Sequence, residues 1–306
     1  MAKIAFLFPG QGAQTLGMGQ DFYEAYPEAK AVYDLAQETT GIDVAALCFE
    51  QGERLNQTEY TQIALLTTEI AMLEVIRGMG LCADYCAGLS LGEYGALAAA
   101  DVMEQKDLFP VIRARGLYMQ EEYPVGGAMS AVLGLDAETI KAVCEETDGI
   151  VSIANDNCPG QIVITGEAAA VTAAGDALKE KGAKRVIPLT VSGPFHSALL
   201  KGAGEKLAEV LDGVEVRDPQ IPYICNVTAD QVTKADGIKK LLANQVSSPV
   251  RFRESILKLK ELGVDTFVEI GPGKTLSGFV RKTDAELKVV NVAKVSDLEK
   301  IQELLG

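Results

Sequence analysis

A chain of 306 residues passes the ~250 to 300 residues at which one hydrophobic core stops growing, so two domains are expected. Hydrophobic residues make up 48% and charged residues 23%, which excludes a disordered or fibrous chain. With 28 basic side chains against 43 acidic ones the net charge is −15, a field that repels nucleic acid and anionic lipid, so no nucleic acid and no membrane is expected as a partner and any anionic ligand must be met by a local basic cluster.

The first predicted element is a short buried strand at 3–8, ending in the glycine-rich loop PGQGAQ at 9–14. Helical patterns follow at 28–39 and 59–78; the second opens with Asn56 three residues before Glu59, as in a capping box, and closes at Gly78 and Gly80. A strand at 83–88 leads into a helix beginning near Ser90, and this alternation implies a parallel sheet with ligands at the carboxyl ends of its strands. From Gly127 the rhythm becomes strand 128–134, helix 136–147, strand 150–154, strand 161–165, helix 167–181, strand 184–189, the β-α-β-β-α-β order of a ferredoxin-like unit. The α/β pattern then resumes with a helix near His196, a strand at 222–226, helices at 236–246 and 250–262, a strand at 266–270 and the turn GPG at 271–273. The expected fold class is α/β: a parallel-sheet, α/β-hydrolase-like large domain at 1–123 and 194–306, with an inserted ferredoxin-like small domain at 124–193.

Six cysteines and one histidine leave no imidazole-rich metal site, and no cysteine pair has the two-residue spacing of zinc or redox motifs. Cys82 and Cys86, the nearest pair, read as core packing. The apolar stretch 4–8 is too short for a signal or membrane segment, and a cytoplasmic protein with reduced thiols is expected.

Chemistry concentrates in a few places. GLSLG at 88–92 has the G-x-S-x-G pattern of a nucleophile elbow, which projects Ser90 from a strand end and turns the backbone N–H of Leu91 toward any oxyanion formed there. A serine hydroxyl needs a base, and the only imidazole is His196, in SGPFHSALL at 192–200. The loop at 9–14 either forms an anion-binding nest, with Gln11 supplying a second oxyanion donor, or is an ordinary strand-to-helix turn. The helix that begins near Ser90 is expected to run on through Arg113 and Arg115, which point to different sides of it; Arg115 precedes Gly116, a costly helix residue that suggests close approach by another segment, and its guanidinium could fork onto a carboxylate.

Together, PGQGAQ at 9–14, GLSLGEYGAL at 88–97, RGLYMQ at 115–120, GPFHS at 193–197, QVSSPVRF at 245–252 and EIGPGKTLSG at 269–278 closely resemble the malonyl-CoA:acyl carrier protein transacylases of bacterial fatty acid synthesis. The resemblance implies Ser90 as the residue that carries malonyl as an ester, His196 as base and then acid, the amides of Gln11 and Leu91 as oxyanion hole, and Arg115 as the clamp on the malonyl carboxylate. It further implies that a backbone carbonyl near Gln245 orients the histidine, and that Phe195 belongs to the malonyl-selective pattern. Leu89 departs from the family's usual histidine before the nucleophile, which predicts a less polar surrounding for Ser90. The implied partners are malonyl-CoA, a coenzyme A thioester acting as substrate rather than cofactor, and acyl carrier protein; no metal is implied. Basic candidates for docking these anionic partners are Lys179, Lys181, Lys184 and Arg185, or Arg251 and Arg253. Two other readings remain: a serine hydrolase or thioesterase of acyl-CoA, which would release free acid without a thiol acceptor, and a non-catalytic carrier-protein-binding scaffold, which would form no acyl adduct.

Overall fold

A computed structural model describes residues 3–191 and 193–306; Ser192, the first residue of the run around His196, lies outside them. Among the described residues, ten strands lie in two sheets: β1 (Lys3–Phe8), β2 (Tyr85–Gly88), β3 (Gly127–Leu133), β4 (Val151–Cys158), β5 (Gln161–Glu167), β6 (Arg185–Pro188), β7 (Tyr223–Ile224), β8 (Gln231–Val232), β9 (Val264–Ile270) and β10 (Lys288–Val292). The first sheet has the order β10-β9-β1-β2-β7-β8 and is parallel except for β8, which runs antiparallel to β7.

The apolar run of β1 sits near the middle of this sheet because both of its faces are covered. Phe6 and Phe8 pack toward the helix Thr58–Gly78, with Ile63, Leu66 and Ile70, whereas Ala5 and Leu7 pack toward the helices Phe252–Glu261 and Thr275–Thr283, with Ile256 and Leu276. That alternation is the period of two expected of a strand. The helix Thr58–Gly78 is buried along most of its length between its neighbours, yet no helix among the described residues is long and apolar enough to cross a membrane.

The second sheet is antiparallel, in the order β4-β5-β3-β6, with the helices Ala137–Glu146 and Ala168–Glu180 between its strands in sequence. Its faces divide by the same alternation. Val132, Ile140, Ile164 and Val171 form a small core with the two helices, while Met129, Ala131 and Val163 turn the other way and join the large core.

Several local expectations are corrected. Asn56 does not cap the helix Thr58–Gly78: it ends the preceding short helix in a right-handed conformation and donates to Gly52 O, and Gln57 takes the N-cap position without a side-chain cap. The elbow does not open one long helix. The chain forms Gly92–Ala99, turns at Asp101 with φ 53°, and starts again as Gln105–Glu121, which carries both arginines. After His196 comes a short turn of 3-10 helix, Ala198–Leu200, before the helix Lys201–Asp212. Cys86 is buried but Cys82 is exposed, so the pair does not share a core.

Candidate active site

The carboxyl end of β2 delivers Ser90 with φ 56°, a left-handed conformation that a serine adopts only when its surroundings compel it. The compulsion comes from crowding. A Cβ on Gly88 would lie 1.9 Å from the backbone of Gly92, and one on Gly92 would lie 2.0 Å from Phe8 O, so only glycines let the strand, the turn and the next helix pack this closely. The elbow is pinned further by Asn226, just beyond β7: its Oδ1 accepts from Ser90 N at 2.7 Å and its Nδ2 donates to Gly88 O at 2.7 Å.

His196 also has a positive φ, 61°, and lies 2.7 Å from Ser90 Oγ through Nε2. Its Nδ1 faces two carbonyl oxygens, Gln245 O at 2.9 Å and Ser248 O at 3.1 Å. A carbonyl can only accept, so Nδ1 carries the proton and the Nε2 lone pair is turned to the serine hydroxyl. Burial, with the Arg115 charge close by, pushes the imidazole pKa down to about 4 against the pull of those carbonyls, so the ring is neutral at physiological pH.

Arg115 is fully buried behind Ser90 and Gln62. Its Nη1 donates to Gln62 Oε1 at 2.6 Å, its Nη2 to Gln245 Oε1 at 2.9 Å and to Ser90 Oγ at 3.2 Å, and the guanidinium lies 5.5 Å from the Tyr94 ring centre. No carboxylate pairs with it directly among the described residues. Two neutral amide oxygens hold the cation in place and leave its charge unspent. Arg113 turns to the other side of the helix and pairs with Glu59 at 2.7 Å. A Cβ on Gly116 would lie 2.9 Å from Thr58 O, the close approach that the sequence suggested.

A cavity of about 280 Å³ opens in front of Ser90 and His196. The loop Pro9–Ala13, with Gln11, forms one wall and the small sheet the other, through Met129, Ala131 and Val163. Phe195 and Leu89 also line it, so the nucleophile meets an aliphatic side chain at that position. Asn226 occupies Ser90 N, whereas the backbone amides of Gln11 and Leu91 donate to no protein acceptor among the described residues. The Gln11 side chain turns away and donates to Thr58 Oγ1.

The structure therefore brings together Ser90, His196, Arg115, Gln245, Gln11, Leu91 and Phe195, from five separate stretches of chain. Sequence reasoning missed Gln62, Glu93, Asn226 and Ser248. Glu93 stood within a quoted motif, and Asn226 ends a strand where ligands of parallel sheets gather, but Gln62 lies inside a helical pattern that carries no local sign of function. Of the basic docking candidates, Arg251 pairs with Glu254, Arg253 with Asp156 and Lys179 with Asp176. Lys181, Lys184 and Arg185 are exposed and have no ion pair among the described residues.

Comparison with known proteins adds to this geometry. The profile of the acyl transferase domain family matches residues 5–302. The malonyl CoA-acyl carrier protein transacylase of Bacillus subtilis is 52% identical over 304 residues, 98% of this chain and 96% of its own length. The crystal structure of the Clostridium perfringens malonyl CoA-acyl carrier protein transacylase superposes with a TM-score of 0.96 at 42% identity, covering 99% of this chain and 97% of that one. A malonyl-transacylase solved in complex with a type II PKS acyl-carrier protein does so with a TM-score of 0.96 at 41% identity, covering 99% and 100%. With a neutral histidine on an elbow serine, a buried unpaired arginine behind it, and similarity along almost its whole length, the chain belongs to the acyl transferase domain family, among the malonyl CoA-acyl carrier protein transacylases.

Proposed function

We propose that this chain moves malonyl from malonyl-CoA to the phosphopantetheine thiol of an acyl carrier protein in fatty acid synthesis, through a malonyl ester on Ser90. The observation that carries the reading is one oxygen with two neighbours: Ser90 Oγ lies 2.7 Å from His196 Nε2 and 3.2 Å from Arg115 Nη2. In the first half-reaction Oγ attacks the thioester carbonyl as His196 takes its proton. The oxyanion is met by the Gln11 and Leu91 amides, and by the amino end of the helix Gly92–Ala99. Collapse breaks the C–S bond and His196 returns the proton to the leaving coenzyme A sulfur. The carrier thiol then repeats these steps in reverse, so one base and one oxyanion hole serve both barriers.

Arg115 selects the acyl group. Guanidinium nitrogens Nη1 and Nη2 carry two hydrogens each. One on Nη1 goes to Gln62, and those on Nη2 go to Gln245 and Ser90 Oγ. Acylation turns Ser90 Oγ into an ester oxygen, a much poorer acceptor, so one hydrogen of each nitrogen becomes available for a carboxylate fork. Phe195 fills the space beside the acyl group. Gln245 places its carbonyl on His196 Nδ1. These steps call on no cofactor or metal. We further read residues 124–193 as a domain inserted between 1–123 and 194–306, and the site of action as the cytoplasm.

Product analysis tests the function. With malonyl-CoA and a holo carrier protein, malonyl should appear on the carrier and free coenzyme A should accumulate with carrier concentration. Free malonate released at the same rate without carrier would instead indicate the hydrolase, and an absence of any acyl adduct the scaffold.

A further inference from the structure

The residue that decides how Gln245 presents itself to Arg115 lies one step deeper. Glu93 stands in the first turn of the helix Gly92–Ala99 with no exposed surface. Its Oε2 accepts from Gln245 Nε2 at 2.6 Å and from Asn226 N at 3.2 Å. The Gln245 amide thus has acceptors on its nitrogen side, Glu93 Oε2 and Ser90 O at 2.9 Å, and a donor, Arg115, on its oxygen side. Turned over, it would set oxygen against oxygen twice and nitrogen against a cation. The two residues that donate to Glu93 Oε2 are those that hold the elbow and the guanidinium: Asn226 secures Ser90 N and Gly88 O, and Gln245 secures Arg115.

We propose that Glu93 is a positioning residue for acyl selection: by accepting from Gln245 it fixes the polarity of that amide, and so keeps a neutral oxygen, rather than an amino group or a carboxylate, against Arg115. The inference rests on the reading of Arg115 as the carboxylate clamp. What is required of Glu93 is an acceptor at this place and not a charge. Burial pushes its carboxyl up to about 7, and its other oxygen, Oε1, has no hydrogen-bond partner among the described residues, so a proton taken up there leaves Oε2 free to accept. A carboxylate placed directly on Arg115 would neutralise the cation that the acyl group needs; the intervening glutamine keeps the two apart.

Two variants separate reach from charge. Glu93→Gln keeps an acceptor oxygen at full reach and loses the charge; Glu93→Asp keeps the charge and withdraws the acceptor by one methylene. Both are compared with wild type in kcat/KM for malonyl-CoA and for acetyl-CoA, with thermal melting to report folding. We expect Glu93→Gln to hold the malonyl-to-acetyl ratio within about threefold, and Glu93→Asp to lower it by roughly tenfold or more, chiefly through malonyl-CoA. The reverse order, or an equal fall for both thioesters in Glu93→Asp, overturns the proposal, since Glu93 would then act by charge or by structure alone. If one variant does not fold, the ratio in the other still decides: loss in Glu93→Gln, or retention in Glu93→Asp, overturns it. Arg115→Ala, run alongside, keeps the two claims distinct. If it leaves the ratio unchanged the clamp reading itself fails, whereas a ratio lost in Arg115→Ala but kept in Glu93→Asp defeats only the role of Glu93.

Discussion

The two sheets contribute unlike things to one cavity. The parallel sheet supplies, at the carboxyl ends of its strands, buried polar groups tied to one another: Ser90 and Asn226 follow β2 and β7, and Glu93, Arg115 and Gln245 come from the adjoining helices. The antiparallel sheet faces the same space with Met129, Ala131 and Val163, and with amide side chains such as Gln161, which accepts from Lys282 at 3.2 Å. Every strand of a parallel sheet ends on the same side, so several chain segments can converge on one point, and loop and helix dipoles there favour anions. An antiparallel sheet gives a flat, alternating face, suited to being a wall. Chemistry should therefore be lost by changes on the first side and only tuned by changes on the second.

The largest effect expected is that of Ser90→Ala, which should abolish the acyl-enzyme and reduce transfer to background without unfolding the protein, because the hydroxyl fills little space; circular dichroism and transfer assays check both halves. His196→Ala should lower kcat by several orders of magnitude, since no second imidazole exists to replace it. Retention of more than about a tenth of the rate would mean that another group is the base. Arg115→Ala should lower kcat/KM for malonyl-CoA by about 10²-fold, on the order of 3 kcal/mol, and leave acetyl-CoA transfer unchanged or faster. An acetyl group leaves the buried cation unmatched, whereas a malonyl carboxylate entering a site without that cation would be desolvated for nothing.

On the other side of the cavity, Gln161→Ala should raise KM for malonyl-CoA by roughly threefold with kcat unchanged, the sign of uniform binding lost at a wall. An equal fall in kcat would erase the distinction between the sheets. The smallest effect concerns pH. The base form of His196 is the active one, and a group whose pKa is held down to about 4 stays in that form well below neutrality. Between pH 7.5 and 5.5 the acylation rate should change by less than about twofold, whereas an ordinary histidine near 6.5 would lose roughly tenfold. The same depression acts on stability in the opposite direction from a stabilising ion pair: as pH falls from about 6.5 toward 4, the unfolded chain takes up a proton that the folded one refuses, and unfolding becomes easier.

What could be read from the sequence follows the range of the interactions. The elbow was legible because its steric demand is local: Gly88 and Gly92 flank the serine they serve. His196 was legible by count, and the β-α-β-β-α-β order by periodicity alone. The capping-box reading of Asn56 failed because the same spacing also fits a residue that closes a preceding short helix. The helix after the elbow was read too long because an alanine-rich run gives no sign of the turn at Asp101. Gln62 was not legible at all, and Asn226 only through its place at a strand end: each acts across more than 50 residues of chain on a partner that only the tertiary fold supplies. The Cys82–Cys86 pair shows the same limit, since four residues of separation do not say which side of a strand end is covered.

The most direct test of the account is the mass of the intact protein after brief exposure to malonyl-CoA without carrier, followed by peptide mapping. A single malonyl adduct located on Ser90, absent from Ser90→Ala and discharged by addition of a holo carrier protein, is the predicted result. An adduct on another residue, or its persistence in Ser90→Ala, would contradict the account.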